Sequence, residues 1–340
     1  MLETNSYVRC LLVDFSKAFD VVDHSILIPK VMALNMLPEI SNWVIDFLTG
    51  RSQVLKCNNV VSDSASINRS VIQGSGIGPS LYILMESDLK PVSPTNILFK
   101  FADDTNLLVP QNSPVSLETE FVNIKDWTSR NRMMLNLSKT KEIVFHRPSP
   151  RLFSFPAPIV DVDRVKFVKL LGVLFRDDLK FDDHVSFILK VCSQRLYPIK
   201  VLQSQGMPST KIVNIFQALV VSRLTYAFPS WGGFLSTELA GRIDSFLRRA
   251  GRSNLFSSDC LTLSKICEKI EMKFFKSIQS PHHCLHQLLP EKHLHKFNLR
   301  ERGHIFELPD FHTVLHKKSF IVRALYKYKI GRILNIKASS

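Results

Sequence analysis

The segment LFKFADDTNLLVP (98–110) places two adjacent aspartates between two apolar runs. We expect strands over 96–102 and 106–109, with Asp103 and Asp104 in the turn that joins them. Acids that water solvates are the ordinary interpretation of such a pair in a turn. Here both flanking runs are apolar and few basic residues lie nearby in the sequence. The two charges would therefore repel each other unless a cation lies between them.

Mg²⁺ is the cation that suits such carboxylates, because it takes oxygen ligands and keeps positions open for water and phosphate. A pair of ions for phosphoryl transfer requires a further carboxylate. The segment LLVDFSKAFD (11–20) offers one, since Asp14 ends a strand predicted over Tyr7–Val13 and an aromatic residue, Phe19, follows. A strand that ends in Asp, together with a strand–Asp–Asp–strand hairpin, is the carboxylate arrangement of a polymerase palm.

Several segments, in the right order and with fitting spacing, resemble the reverse transcriptases of non-LTR (LINE-type, jockey-like) retrotransposons. Motifs A, B and C of that family are matched by LVDFSKAFDVVDH (12–24), VIQGSGIGPSLYILMESDL (71–89) and FKFADDTNLLV (99–109). Motif D and the primer-grip region are resembled by DWTSRNRMMLNLSKTKEIVF (126–145) and VKLLGVLFRDDLKFDDHV (168–185). A lone FADD would be weak evidence, whereas motifs A, B and C together are a specific signal.

The resemblance implies an RNA-directed DNA polymerase that transfers nucleotides onto a primer 3′-hydroxyl with two Mg²⁺ ions, for which Mn²⁺ can substitute. Its partners would be an RNA template, a DNA primer and dNTPs. The residues that match the metal-binding and catalytic positions of the family are Asp14, Asp103 and Asp104. Lys139 and Lys141 lie where motif D of the family has a lysine that protonates the leaving pyrophosphate, and Lys139 is taken as the candidate; a solvated surface lysine is the alternative interpretation for either one.

Four residues match positions that contact the nucleotide or the template in this family: Phe15, Phe19, Gln73 and Gly74. The resemblance makes Phe19 the steric gate, whose ring leaves no room for a 2′-hydroxyl. Its alternative is an ordinary core phenylalanine. Glycine at position 74 permits close approach of the backbone, and the alternative for this segment is a plain turn before a helix.

The charge of the chain is distributed unevenly. Residues 1–180 carry 20 Lys or Arg and 19 Asp or Glu, whereas residues 181–340 carry 24 and 11. Such an excess in one half is typical of a surface that binds polyanions. The helix-like segment 181–255 would then be a thumb that contacts the nucleic-acid backbone. Its candidate contact residues are Lys190, Arg195, Lys200, Arg242, Arg248 and Arg249.

These observations predict an α+β fold: a polymerase palm, with an antiparallel sheet and helices, followed by a mostly α-helical thumb and C-terminal region. The predicted division is palm 1–160, primer-grip-like β unit 161–180, helical thumb 181–255 and basic C-terminal region 256–340. The fingers of the family lie upstream of motif A, so we expect them to be largely missing here.

Two other functions stay open at this stage. One is a nucleic-acid-binding remnant of a retrotransposon protein that lacks catalysis, and the other is a different palm-fold nucleotidyl transferase, against which Phe19 argues. The six cysteines are scattered and the sequence shows no secretion signal, so we expect an intracellular protein. With no run of 18 apolar residues, we expect no association with a membrane.

Overall fold

The computed structural model describes residues 1–147, 154–253, 255, 262–292 and 304–329. The chain divides into two compact units, the first comprising 1–146 with 150–166 and the second 147–149 with 167–340. Each unit contains a hydrophobic core of its own. The four-part division predicted from the sequence stays a prediction. Parts of its last region, residues 256–261, 293–303 and 330–340, lie outside the described residues.

The first unit is built around a mixed sheet that is mainly antiparallel. The strands of this unit are β1 (Tyr7–Val13), β2 (Arg51–Gln53), β3 (Lys56–Cys57), β4 (Val60–Val61), β5 (Ala65–Ile67), β6 (Ile97–Phe101), β7 (Asp104–Pro110), β8 (Lys141–His146) and β9 (Asp163–Arg164). The main sheet has the strand order β6-β7-β1-β8-β9. Strand β2 pairs with β5 and strand β3 pairs with β4, which gives two small two-stranded sheets. Strand β1 pairs antiparallel with both β7 and β8, which explains why its apolar run is buried almost throughout.

Four helices pack with this sheet: α1 (His24–Met32), α2 (Pro38–Leu48), α3 (Gly78–Met85) and α4 (Leu117–Arg130). Helix α4 shows why the sequence folds in this way. Ser116 caps its first turn by accepting from the amide of Thr119. Its buried apolar residues recur at helical spacing and join the core with residues of β1, β7 and α1–α3: Leu117, Phe121, Ile124 and Trp127.

A buried ionic network connects α4, β1, β8 and β9. The Arg9 guanidinium contacts a carboxylate oxygen of Glu118 at 2.6 Å and one of Glu142 at 2.7 Å. Arg164 contacts the same Glu142 at 2.9 Å. The Glu142 side chain is fully buried. Its charge is therefore tolerated only because two guanidinium groups surround it.

The second unit is mostly helical, as the periodicity of its sequence predicts. It begins with the hairpin β10 (Phe167–Leu170) and β11 (Val173–Arg176). Its helices are α5 (Asp182–Ser204), α6 (Ser209–Phe216), α7 (Ser222–Thr225), α8 (Phe228–Trp231), α9 (Thr237–Arg252), α10 (Leu263–Ile278), α11 (Val314–Lys318) and α12 (Phe320–Lys329). A π-helical turn, Gln217–Val221, joins α6 to α7.

One helical run bears on the membrane prediction. By length and composition alone, the run Ser209–Phe234 is long and apolar enough to cross a membrane. Its most apolar stretch of 18 residues has a mean hydropathy of 1.2. The sequence showed no uninterrupted apolar run there because polar residues occur along the segment. In the structure one face of this run, including Ile212, Phe216 and Leu224, packs into the core of the second unit.

Two local features differ from the sequence predictions. Asp104 is the first residue of β7 rather than a turn residue, because Phe101 and Asp104 pair and leave only two residues between them. The two small sheets formed by strands β2, β3, β4 and β5 were not predicted. Their strands are two or three residues long, too short to produce a recognisable alternation of apolar and polar residues.

Candidate active site

Strand pairing brings Asp14 and Asp104 to the same edge of the sheet. The antiparallel register of β1 and β7 ends with Val13 opposite Thr105. Asp14 follows Val13 and Asp104 precedes Thr105, so the two aspartates lie at the same end of this strand pair, and the charge of Asp14 raises the pKa of Asp104. Side chains of opposed residues in an antiparallel pair lie on the same face of a sheet and within about 5.5 Å at Cβ. Two of the three predicted carboxylates therefore converge, although they are distant in sequence.

Asp103 joins them through the geometry of the hairpin. Ala102 and Asp103 form the two-residue connection between β6 and β7. Ala102 has φ of +52°, a conformation that a residue with a Cβ adopts at a cost of about 1–2 kcal/mol. Tight hairpins need such a value to match the twist of their strands. The turn thus holds Asp103 beside Asp104 at the end of the sheet, at the expense of local backbone strain.

The electrostatics of this edge are those of three unneutralised acids. Burial raises the pKa of Asp104, and the charges of Asp103 and Asp14 raise it further. Among the described residues, no Lys or Arg forms an ion pair with any of these three side chains. Negative charge is therefore concentrated where β1 and β7 end.

Donor chemistry at this edge suits Mg²⁺. The described part of the chain assembles no group of three or more His, Cys, Asp or Glu side chains that could hold a metal ion by themselves. Mg²⁺ is commonly held by one or two carboxylates, with water and substrate phosphates completing its octahedron. Opposed carboxylates that lack a basic partner fit that mode of binding, and a dedicated protein cage is not required.

The loop before β8 fixes the backbone of Asp14 and carries Lys139. The amide of Asn136 donates to the carbonyl of Asp14 at 2.8 Å, and the amide of Asp14 donates to Oγ1 of Thr140 at 3.3 Å. Lys139 lies between these two contacts in sequence, and its side chain is exposed. The predicted proton donor therefore lies on a loop that is hydrogen-bonded to the backbone of Asp14.

The two phenylalanines of motif A have different environments. Phe15 is buried in the core, where its ring contacts Trp127 at 5.9 Å between centroids. Its predicted contact with substrate therefore cannot come from an exposed ring, because the side chain points into the sheet–helix core. Phe19 is half-buried and stacks on Tyr82, with 4.6 Å between the ring centroids. Of the two, only Phe19 has a partly open ring.

The motif B loop lies beside motif A. Gln73 and Gly74 are exposed, and Gly74 has φ of +85°, which favours glycine. The Gln73 amide donates to a carboxylate oxygen of Asp20 at 3.2 Å. The backbone amide of Val71 donates to the carbonyl of Phe19 at 2.8 Å. The predicted nucleotide-contacting residues Phe19, Gln73 and Gly74 are thus brought close together by backbone and side-chain contacts.

In the second unit, the predicted nucleic-acid contacts occupy α5 and α9. Lys190, Lys200, Arg242, Arg248 and Arg249 are exposed. Arg242 donates to Ser186 at 2.9 Å and so connects the two helices. Arg195 differs, because its guanidinium donates to the carbonyl of Leu219 at 2.6 Å. Part of its hydrogen-bonding capacity is therefore used within the fold.

Two residues that sequence reasoning missed lie behind this site. Tyr82 on α3 and Glu86, the residue that caps the C-terminus of α3, are both buried, and the Tyr82 hydroxyl donates to Oε1 of Glu86 at 2.6 Å. Burial raises the pKa of Glu86 to about 7, while the hydrogen bond from Tyr82 and the charge of Lys100 act in the opposite direction. Their i, i+4 spacing on a helix is the signal that could have revealed the pair.

Comparison with known proteins identifies the family to which the sequence is similar. Residues 1–175 match the family described as reverse transcriptase (RNA-dependent DNA polymerase). The RNA-directed DNA polymerase from mobile element jockey of Drosophila melanogaster is 24% identical over 252 residues, which cover 68% of this chain and 26% of that protein. The probable RNA-directed DNA polymerase from transposon X-element of the same organism is 24% identical over 244 residues, 68% of this chain and 26% of that protein.

Among solved structures, telomerase from Candida tropicalis, in complex with a TWJ fragment of telomeric RNA, aligns over 84% of this chain and 48% of that chain. The alignment has a TM-score of 0.35 and 12% sequence identity. By sequence, the chain spans about a quarter of the length of its transposon relatives.

Proposed function

Because the chain belongs to the reverse transcriptase (RNA-dependent DNA polymerase) family, we propose that it contains the catalytic palm of a non-LTR retrotransposon polymerase, which copies an RNA template into DNA. The observation that carries the proposal is that Asp14 and Asp104 lie at the same end of the paired strands β1 and β7, with Asp103 in the adjoining turn. Solvated turn acids would require no such convergence of carboxylates from distant parts of the chain.

Each residue of the site receives a role in this proposal. Asp14, Asp103 and Asp104 would hold two Mg²⁺ ions, for which Mn²⁺ can substitute. When bound, these ions supply charge stabilisation at the primer 3′-hydroxyl and at the pyrophosphate leaving group. Phe19 limits the space beneath the sugar and so excludes a 2′-hydroxyl. The exposed Lys139 donates a proton to pyrophosphate.

Motif B and the second unit bind the substrates. Gln73 and Gly74 contact the template and the incoming dNTP from the exposed loop before α3. The cations of α5 and α9, with Lys190, Lys200 and Arg242 among them, bind phosphates of the primer–template without reading its sequence. An intracellular location is part of this proposal, and it is supported by the scattered free cysteines.

Primer extension on an RNA template, with dNTPs and Mg²⁺, tests the proposal. Extension by the wild-type chain that is lost in Asp104→Asn supports an RNA-directed DNA polymerase. Binding of the primer–template without extension would instead favour a non-catalytic nucleic-acid-binding protein. Preference for rNTPs over dNTPs would indicate another palm-fold nucleotidyl transferase and would contradict the role given to Phe19.

A further inference from the structure

The ring of Phe19 is supported from one side by a second aromatic ring. Tyr82 on α3 is fully buried, and it stacks on Phe19 with an interplanar angle of 24°. Stacked aromatic pairs of this geometry contribute attraction beyond the area that they bury. The orientation of Tyr82 therefore sets the plane in which the Phe19 ring meets a nucleotide sugar.

Glu86 in turn determines the orientation of Tyr82. Its carboxyl oxygen Oε1 accepts from the Tyr82 hydroxyl in a hydrogen bond of 2.6 Å, at the short end of the range for O–H···O bonds. Only 1% of the Glu86 surface is exposed, so water cannot replace the carboxylate as the partner of the hydroxyl. Leaving a buried hydroxyl without an acceptor costs free energy, so Tyr82 would change its orientation to donate to another acceptor.

The same residue contacts the catalytic hairpin. Oε2 of Glu86 lies 3.5 Å from Oγ1 of Thr105, the residue that follows Asp104 in β7. The backbone carbonyl of Glu86 accepts from Nζ of Lys100 in β6, whose amine also donates to the carbonyl of Leu89 at 2.7 Å. Both strands of the hairpin that presents Asp103 and Asp104 are thus connected to the C-cap residue of α3, β7 through its side chain and β6 through its backbone carbonyl.

We propose that Glu86 is a positioning residue that holds the aromatic gate and the catalytic hairpin in a fixed relation to each other. It acts on selectivity through Tyr82 and Phe19, and on the rate of transfer through Thr105 and Lys100. This inference rests on the proposed polymerase function. A purely structural role would affect stability alone, whereas this role links sugar selectivity to a side chain that touches no nucleotide.

The test compares Glu86→Leu, Glu86→Gln, Tyr82→Phe and Tyr82→Leu with wild type, and Glu39→Gln, an exposed acid of α2, serves as the matched control. The measured quantity is the ratio of kcat/KM for a dNTP to that for the corresponding rNTP in primer extension. We expect Glu86→Leu and Tyr82→Leu to lower this ratio about tenfold, the factor expected for one buried hydrogen bond. Glu86→Gln keeps an acceptor for Tyr82 and should restore most of the selectivity.

Hydrogen–deuterium exchange separates failure of this inference from failure of the proposed function. If the wild-type chain extends no primer, the polymerase proposal fails, but exchange still reports on positioning. In Glu86→Leu, amides of residues 15–20 and of 97–110 should exchange faster together, while Glu39→Gln changes neither segment. Tyr82→Phe keeps the stacked ring, and it should show the same pattern more weakly if Glu86→Leu does not fold.

The inference is overturned by either of two results. One is a wild-type dNTP preference that stays unchanged in both Glu86→Leu and Tyr82→Leu. The other is faster exchange that stays confined to α3, or that reaches only one of the two segments. Either result would make Glu86 a local structural residue of the helix.

Discussion

The edge of the sheet where β1 and β7 end and the basic surface of α5 and α9 perform their proposed roles in opposite ways. At the sheet edge, the register of β1 and β7 brings Asp14 and Asp104 to the same end of the sheet, and Asp103 lies in the adjoining turn, where Ala102 has φ of +52°. On the helices, cations are spread over mostly exposed positions, and Arg195, Arg242 and Arg248 also donate hydrogen bonds within the fold. The first arrangement depends on geometry, so a single substitution should abolish it. The second depends on summed charge, so single substitutions should weaken it only slightly.

The largest expected effect is on catalysis at the sheet edge. Asp104→Asn should lower the rate of primer extension about a thousandfold or more, because an essential charge at the site of phosphoryl transfer is lost. The same change should not lower the unfolding temperature, since it relieves repulsion from Asp14 and Asp103. Asp46→Asn, at an exposed position of α2, is the control. Extension within tenfold of wild type would contradict the assignment of Asp104.

The next effect concerns the stability of the first unit. Glu142→Gln should lower the free energy of unfolding by about 3 kcal/mol, because Arg164 loses its charged partner and the buried Arg9 keeps only Glu118, half of whose side chain is exposed. Asp163→Asn is the matched comparison, since the Lys141–Asp163 ion pair is largely exposed at Asp163 and should contribute less than about 1 kcal/mol. Urea denaturation measures both changes. Equal effects would show that the Glu142 network is not a source of stability.

In the second unit, His184 should make stability depend on pH. Burial, together with the charge of Arg223, lowers the pKa of His184 to about 4, whereas an unfolded histidine has a pKa of about 6.5. As the pH falls, His184 is therefore protonated at a higher pH in the unfolded chain than in the folded chain. The free energy of unfolding should fall as pH drops from about 6.5 to about 4. The expected slope approaches 1.4 kcal/mol per pH unit.

Urea denaturation at several pH values measures this dependence of the free energy of unfolding on pH. The fluorescence of Trp231 reports on unfolding around His184, because the centroids of the two rings lie 5.0 Å apart. His184→Gln should flatten the profile, while His282→Gln, at an exposed position, should leave it unchanged. A wild-type profile that stays flat between pH 6.5 and 4 would contradict a neutral, buried His184.

The smallest effects of single substitutions are expected on α9. Changing Arg242, Arg248 or Arg249 to Gln should weaken binding of a primer–template only a few-fold. Each change should also reduce the slope of log K against log salt concentration by about 0.9, the value for one phosphate contact. Arg130→Gln on α4 is the control, and fluorescence anisotropy at several salt concentrations is the measurement. Loss of all binding in one single variant would show a localised site instead of summed charge.

Much of the fold could be predicted because its signals are local. The apolar run of β1, the Asp-Asp hairpin and the helical spacing of α5 all appear within single segments of sequence. The positions of Asp14 and Asp104 also followed from a motif. Their opposition across two strands is, however, a matter of register, which pairing in the folded sheet establishes.

What could not be predicted depends on contacts between distant segments. The network around Glu142 joins residues 9, 118, 142 and 164, whose spacing carries no pattern. Phe15 and Phe19 are alike in sequence, yet one ring is buried in the core and the other is partly open, because only tertiary packing distinguishes them. In the sequence, Glu86 is one polar residue among several in motif B. Its proposed role depends on its contacts with the Tyr82 hydroxyl and with Oγ1 of Thr105, which only the folded structure shows.

The most direct test of the account is a titration of the chain with Mn²⁺, followed by electron paramagnetic resonance, in the presence of primer–template and a dNTP. The account predicts that wild type binds Mn²⁺, and that Asp14→Asn and Asp104→Asn each weaken this binding, because both carboxylates share the same ions. Mn²⁺ binding that is equal in wild type and both variants would contradict the claim that β1 and β7 bring these residues together as one metal site.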